Sequence, residues 1–161
     1  MEGRSNDSQQ RSEHHNNGSA YDENGNANNW WTEEDFKKFK EKNQELIEFY
    51  NGIEIVPGVV NDGLLTLSEN VADLGGMAAS LQVVSEMSNP DYKAYFESNA
   101  TMWKSTTTKE FAATLSTNDV HSASKVRVDR TIVNFPEFYE TYGIKPGDGM
   151  FVAPEDRVSI W

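Results

Sequence analysis

Glu69 and Asp73 lie four residues apart in the run TLSENVADLGG that begins at Thr66. On a helix that spacing puts both side chains on one face, about 5–6 Å apart. Two carboxylates so placed repel each other unless a cation or a polarised proton stands between them. A helical Glu can ligate zinc at about 2.0–2.2 Å. An Asp one turn on can accept the ring N–H of a metal-bound histidine and so fix its tautomer. The competing explanation is a solvated acidic helix face. The apolar or small neighbours Val71, Ala72, Leu74, Gly75 and Gly76 weigh against it. They predict packing on several sides, and burying an unpaired acid pair costs on the order of several kcal/mol.

Two basic side chains lie further along. His121 sits in the polar stretch 116–124, and Arg127 follows six residues later. By themselves they are an exposed loop histidine and a surface or structural ion-pair partner.

The elements that position these residues are legible from caps and periodicity. Thr32 is a plausible N-cap, with Glu33, Glu34 and Asp35 in a first turn that suits the positive end of the helix dipole. Phe36, Phe39, Leu46, Ile47, Phe49 and Tyr50 keep a helical stripe until Asn51-Gly52 stops it. Residues 53–67 read as two short strands, with turn signals at Pro57-Gly58 and Asn61-Asp62-Gly63. A second long helix runs from Leu67 to about Met87, with Ser68 as its cap and Gly75-Gly76 marking a close backbone approach. Further helices are expected over roughly Tyr92 to Trp103 and 107–115. An extended piece is expected around Arg130, carrying Val126, Val128, Ile132 and Val133, and then a last helix to about Tyr142 before Gly143. The fold class is mainly α with a small β element (α+β).

At 161 residues the chain is one domain or part of a larger one. A net charge of −12 argues against nucleic acid and against an anionic membrane surface as partners. No apolar run approaches the roughly 18 residues that a membrane span needs. With no cysteine there are no disulfides, thiolate metal sites or cysteine nucleophiles, which fits a reducing compartment. The N-terminus also lacks the apolar core of a secretory signal, so a cytoplasmic location is expected. Residues 1–29 hold only Met1, Ala20, Tyr21 and Ala27 from the apolar and aromatic set. The folding unit is therefore expected to begin near Trp30.

The run SENVADLGG resembles the E-N-x-A-D-x-G-G segment of the neprilysin-like zinc metallopeptidases, the PepO-type oligo-endopeptidases of bacteria among them. The resemblance runs from about Asn16 to Trp161. It is carried also by NNGSAYDENGN, NWWTEEDF, HSASKVRV and the long C-terminal run NFPEFYETYGIKPGDGMFVAPEDRVSIW. It implies that residues 16–161 are the C-terminal part of a zincin-type catalytic domain, and that residues 1–15 are a disordered or unrelated segment. On the same resemblance Glu69 is the third zinc ligand and Asp73 orients the first zinc histidine. His121 stabilises the tetrahedral oxyanion, and Arg127 contacts substrate and helps hold the site. The implied cofactor is Zn²⁺ and the implied substrates are small peptides.

The family's H-E-x-x-H helix should fall where this chain has Ser8, Gln9 and Ser12. Serine is a poor zinc ligand beside imidazole, and Gln9 cannot accept a proton from water. His14 and His15 are adjacent and do not chelate one ion as a pair four apart does; Glu13 is no better placed as a base. The expectation is a C-terminal fragment of a zinc metallo-endopeptidase, inactive alone, with zinc weakly held or absent. Its expected partner is a missing N-terminal portion of the same enzyme. The alternative is a non-catalytic remnant of the same fold that binds peptides or a partner.

Overall fold

A computed structural model of the chain describes residues 21–28 and 31–160. The expected segment 1–15, with Ser8, Gln9 and Ser12, lies outside the described residues, as does Trp161. The chain folds as helices α1 (Glu33–Tyr50), α2 (Leu67–Ser85), α3 (Tyr92–Met102), α4 (Lys109–Asn118), α5 (Ser124–Ile132) and α6 (Pro136–Tyr142). A hairpin of β1 (Glu54–Val56) and β2 (Val59–Val60) sits between α1 and α2, and a 3₁₀ turn spans Pro154–Asp156. The α+β class with a small sheet is the one expected from the sequence.

Helix α1 starts as its cap predicts: the Thr32 side chain accepts from the Asp35 N–H. It ends at Asn51, and the hairpin turns at Pro57-Gly58, where Gly58 takes φ 79°. In the antiparallel register Glu54 faces Val60 and Val56 faces Val59. The turn at Asn61-Asp62-Gly63 then leads into α2. Gly63 is the true close approach of this region, because a Cβ there would collide with the Ile47 carbonyl oxygen. Gly76 is not one: a Cβ there meets nothing within 4 Å. The N-cap of α2 is Thr66 and not Ser68, and it makes no side-chain capping bond. Its hydroxyl instead donates to the Asp62 carbonyl at 2.8 Å. Helix α4 starts later than expected, after Thr108, whose side chain accepts from the Phe111 N–H, and it continues to Asn118.

The largest departure is α5, where an extended piece was expected. Val126 and Val128 alternate with charge and so mimic a strand. The helix lies between two apolar clusters and feeds both. Val128 and Ile132 pack with Met77, Leu81, Phe96, Val133, Phe138 and Tyr139. Val126 packs with Leu46, Tyr50, Leu67, Leu74 and Val158. The helical spacing is present, since Val128, Thr131 and Ile132 are buried at i, i+3 and i+4, but the two β-branched valines set two apart imitate a strand over so short a run. Helix α2 also bridges the clusters, through Met77 and Leu81 on one side and Leu67 and Leu74 on the other. The two helices that carry the candidate residues are thus the two best anchored in the core.

Helix α5 also carries an acid that burial disfavours. Burial pushes the Asp129 carboxyl above its ordinary value of 3.8, with Lys125 partly opposing the shift. Where a folded acid is harder to ionise, the native state holds the extra proton, and stability falls as pH rises from 3.8 through the raised value. Asp129→Asn is therefore expected to raise the thermal midpoint at neutral pH. The gain should vanish as pH falls toward 3.8, which melting curves of both proteins across that range would show.

Candidate active site

Glu69 and Asp73 project from the first turns of α2, as their spacing predicts, and each meets one basic partner. Arg127 on α5 grips Asp73 with both arms: Nε donates to Oδ2 at 2.7 Å and Nη2 to Oδ1 at 2.7 Å. The pair is largely dry, the two side chains being 12% and 16% exposed. The Trp103 ring lies flat below, its centroid 3.8 Å from the guanidinium carbon. The hydrogen bonds that it donates to Asp73 hold Arg127 above its ordinary range, against the opposing effect of burial. A planar fork matched to a carboxylate and stacked on an indole has one orientation, which a flexible ammonium would not have.

His121 lies in the loop between α4 and α5, with its ring between two acids. Nε2 is 3.1 Å from Glu69 Oε2, and Nδ1 is 2.8 Å from Asp119 Oδ1. The same Asp119 oxygen accepts from the His121 backbone N–H at 3.0 Å. The ring's hydrogen bond lowers the Asp119 carboxyl most; its slight burial opposes this and the backbone bond adds to it. Asp119 thus fixes the imidazole against its own loop and leaves Nε2 turned toward α2.

The four residues singled out in the sequence therefore sit together, as two pairs on neighbouring turns of α2. Asp73 spends both oxygens on Arg127 in this arrangement. Two members went unread in the sequence. Asp119 was visible two residues before His121 in DVHS, but its role depends on a tight turn of backbone. Trp103 closes α3, and nothing in the linear order ties it to Arg127. A cleft of about 430 Å³ lies against the site, lined by His121, Arg127 and Trp103 with Phe111, Ala112 and Leu115 among its apolar walls.

A catalytic zinc takes about three protein ligands. Among the described residues no group of three or more His, Cys, Asp or Glu is placed to hold a metal. Glu69 offers one carboxylate, and the described donor set does not complete a zinc site.

The scaffold thus brings a braced imidazole and a fixed guanidinium to one cleft, with the Glu69 carboxylate in contact with the imidazole. The family model that matches the chain is Peptidase family M13, over residues 13–158, and the chain belongs to that family. It is 42% identical over 146 residues to the neutral endopeptidase of Lactococcus lactis subsp. lactis, an alignment that covers 91% of this chain and 23% of the relative. It is 30% identical to endothelin-converting enzyme 1 of Bos taurus, covering 89% of this chain and 20% of that protein. The crystal structure of PepO from Lactobacillus rhamnosis superposes with a TM-score of 0.84 at 37% identity, over 91% of this chain and 23% of that one. The Mycobacterium tuberculosis zinc metalloprotease Zmp1, solved with an inhibitor, gives 0.81 at 27% identity, over 91% and 25%. The chain spans 23% of the length of the first of these curated relatives.

Proposed function

We propose that this chain is a portion of an M13 zinc metallo-endopeptidase that acts on small peptides. Glu69 supplies one zinc ligand, and His121 donates to the oxyanion that forms when a peptide carbonyl is attacked. Arg127, held by Asp73, contacts the substrate, and Asp73 is the residue that orients the first zinc histidine in the whole enzyme. The observation that carries this reading is the placement of His121 Nε2 at 3.1 Å from Glu69 Oε2, with the Asp73–Arg127 pair one turn away. An imidazole braced by Asp119 through Nδ1 keeps Nε2 beside the ligand carboxylate, and on release from Glu69 that nitrogen is a donor for charge developing on a carbonyl oxygen. The guanidinium, held by Asp73 and Trp103, offers peptide carbonyls a donor that does not have to be ordered on binding. The similarity to neutral endopeptidases supports the peptidase class, and the similarity to the zinc metalloprotease Zmp1 supports the metal.

The same proposal holds that the chain alone does not cleave peptides. Ser8, Gln9 and Ser12 stand where the resemblance places two zinc histidines and the general base. The expected outcome of a zinc titration combined with a peptide-cleavage assay is weak or no zinc uptake and no turnover. Zinc-dependent turnover that Glu69→Gln abolishes would mean that a working site assembles within this chain.

A further inference from the structure

Glu69 and His121 each have a neighbour, one residue on, that turns inward. Asn70 is 1% exposed and Ser122 4% exposed. The Ser122 hydroxyl donates to Asn70 Oδ1 at 2.8 Å, across 52 residues of chain. Asn70 Nδ2 in turn donates to Thr66 Oγ1 at 3.0 Å. Thr66 Oγ1 also accepts from Asn61 Nδ2, at 3.2 Å, and Asn61 Nδ2 reaches the Tyr50 carbonyl at 3.0 Å. The network runs from the end of α1, past the hairpin and the first turn of α2, to the His121 loop. Among the described residues the buried polar ones are Asn61, Thr66, Asn70, Ser122 and Thr131, and of these only Thr131 stands outside it, bonded to the Tyr50 hydroxyl. Buried polarity in the described residues is concentrated at one joint, directly beneath the candidate site.

We infer that Asn70 and Ser122 are a positioning pair that sets the distance between Glu69 and His121. Asp119 orients the imidazole relative to its own loop and says nothing about where that loop sits against α2. Among the described residues, the Ser122–Asn70 bond is the hydrogen bond that joins the loop to α2, apart from the contact of the His121 ring itself. Both members are fixed in rotamer by burial, and a buried hydroxyl and amide gain most from the partner they have and lose most without it. The two dipeptides Glu69-Asn70 and His121-Ser122 thus work alike: the first residues meet each other through carboxylate and imidazole, and the second residues lock the two segments together. A supporting residue of this kind keeps a constellation within the fraction of an ångström that its chemistry requires.

The inference rests on the reading of Glu69 and His121 as site residues. Its test reads their spacing in the whole chain by NMR, so a chain that binds no zinc and cleaves nothing still gives an answer. In the parent, a cross-peak is expected between the His121 ring and the Glu69 side chain. Ser122→Ala should weaken that cross-peak severalfold and speed exchange of the His121 amide, while Ser122→Thr, which keeps the hydroxyl, should retain both. Thr131→Val removes a buried hydroxyl outside the network and should lower the melting temperature without touching the cross-peak. Should Ser122→Ala not fold, Ser122→Cys, with its weaker thiol donor, replaces it with the same expectation. The inference is overturned by a parent without the cross-peak, by parental intensity in Ser122→Ala or its Cys substitute, or by an equal loss in Thr131→Val.

Discussion

Replacing Arg127 with Ala is expected to lower the unfolding free energy by about 3–5 kcal/mol, because it leaves a mostly buried carboxylate without its counter-charge. Asp73 loses both of its donors at once, and the Trp103 face loses the guanidinium stacked on it. At about 2–4 °C per kcal/mol for a chain of this size, the midpoint should fall by roughly 10 °C. Magnitude decides between two descriptions of the pair. A solvent-exposed ion pair is worth about 0–1 kcal/mol, so a shift of a degree or two would mean that water reaches Asp73 freely. The double variant Asp73→Ala with Arg127→Ala should recover part of the loss, since neither charge then remains buried alone. Thermal melts of the three variants measure all of this without any activity assay.

The second large effect concerns chemistry, and it needs the rest of an M13 enzyme around the site. When this chain replaces the aligned stretch of the Lactococcus lactis neutral endopeptidase, to which it is 42% identical, the His121 donor should act on turnover and hardly on binding. His121→Ala in that chimera is expected to lower kcat by about 10²–10³-fold, the usual cost of removing one donor to a developing oxyanion. KM should change little, since the donor matters most when charge has formed. A rise in KM with kcat intact would instead assign His121 to substrate binding. Steady-state kinetics on one peptide substrate separate the two.

Much of this architecture was legible in the sequence because local chemistry specifies it. Thr32 and the acids behind it define the start of α1, Pro57-Gly58 defines the hairpin, and Gly143 with φ 64° ends α6. The spacing of Glu69 and Asp73 gave the face of α2 before any coordinates. What was not legible depends on contacts between distant segments. Arg127 meets Asp73 across 54 residues, and no period or cap encodes that pairing. Helix α5 was read as extended because two clusters, one on either side, take its valines in alternation. Gly76 makes no close approach, whereas Gly63 does, where the end of α1 passes overhead; only the packing of α1 against that turn makes a glycine necessary there. Asp119 was in plain view, yet its partner is a ring that reaches it only after the loop has turned.

The most direct test of the account is peptide hydrolysis by the same chimera with this chain's own Glu69, Asp73, His121 and Arg127 in place. Zinc-dependent turnover that Glu69→Gln removes is the predicted result. A chimera that folds and melts cooperatively but does not hydrolyse peptide, or whose turnover survives Glu69→Gln, would contradict it.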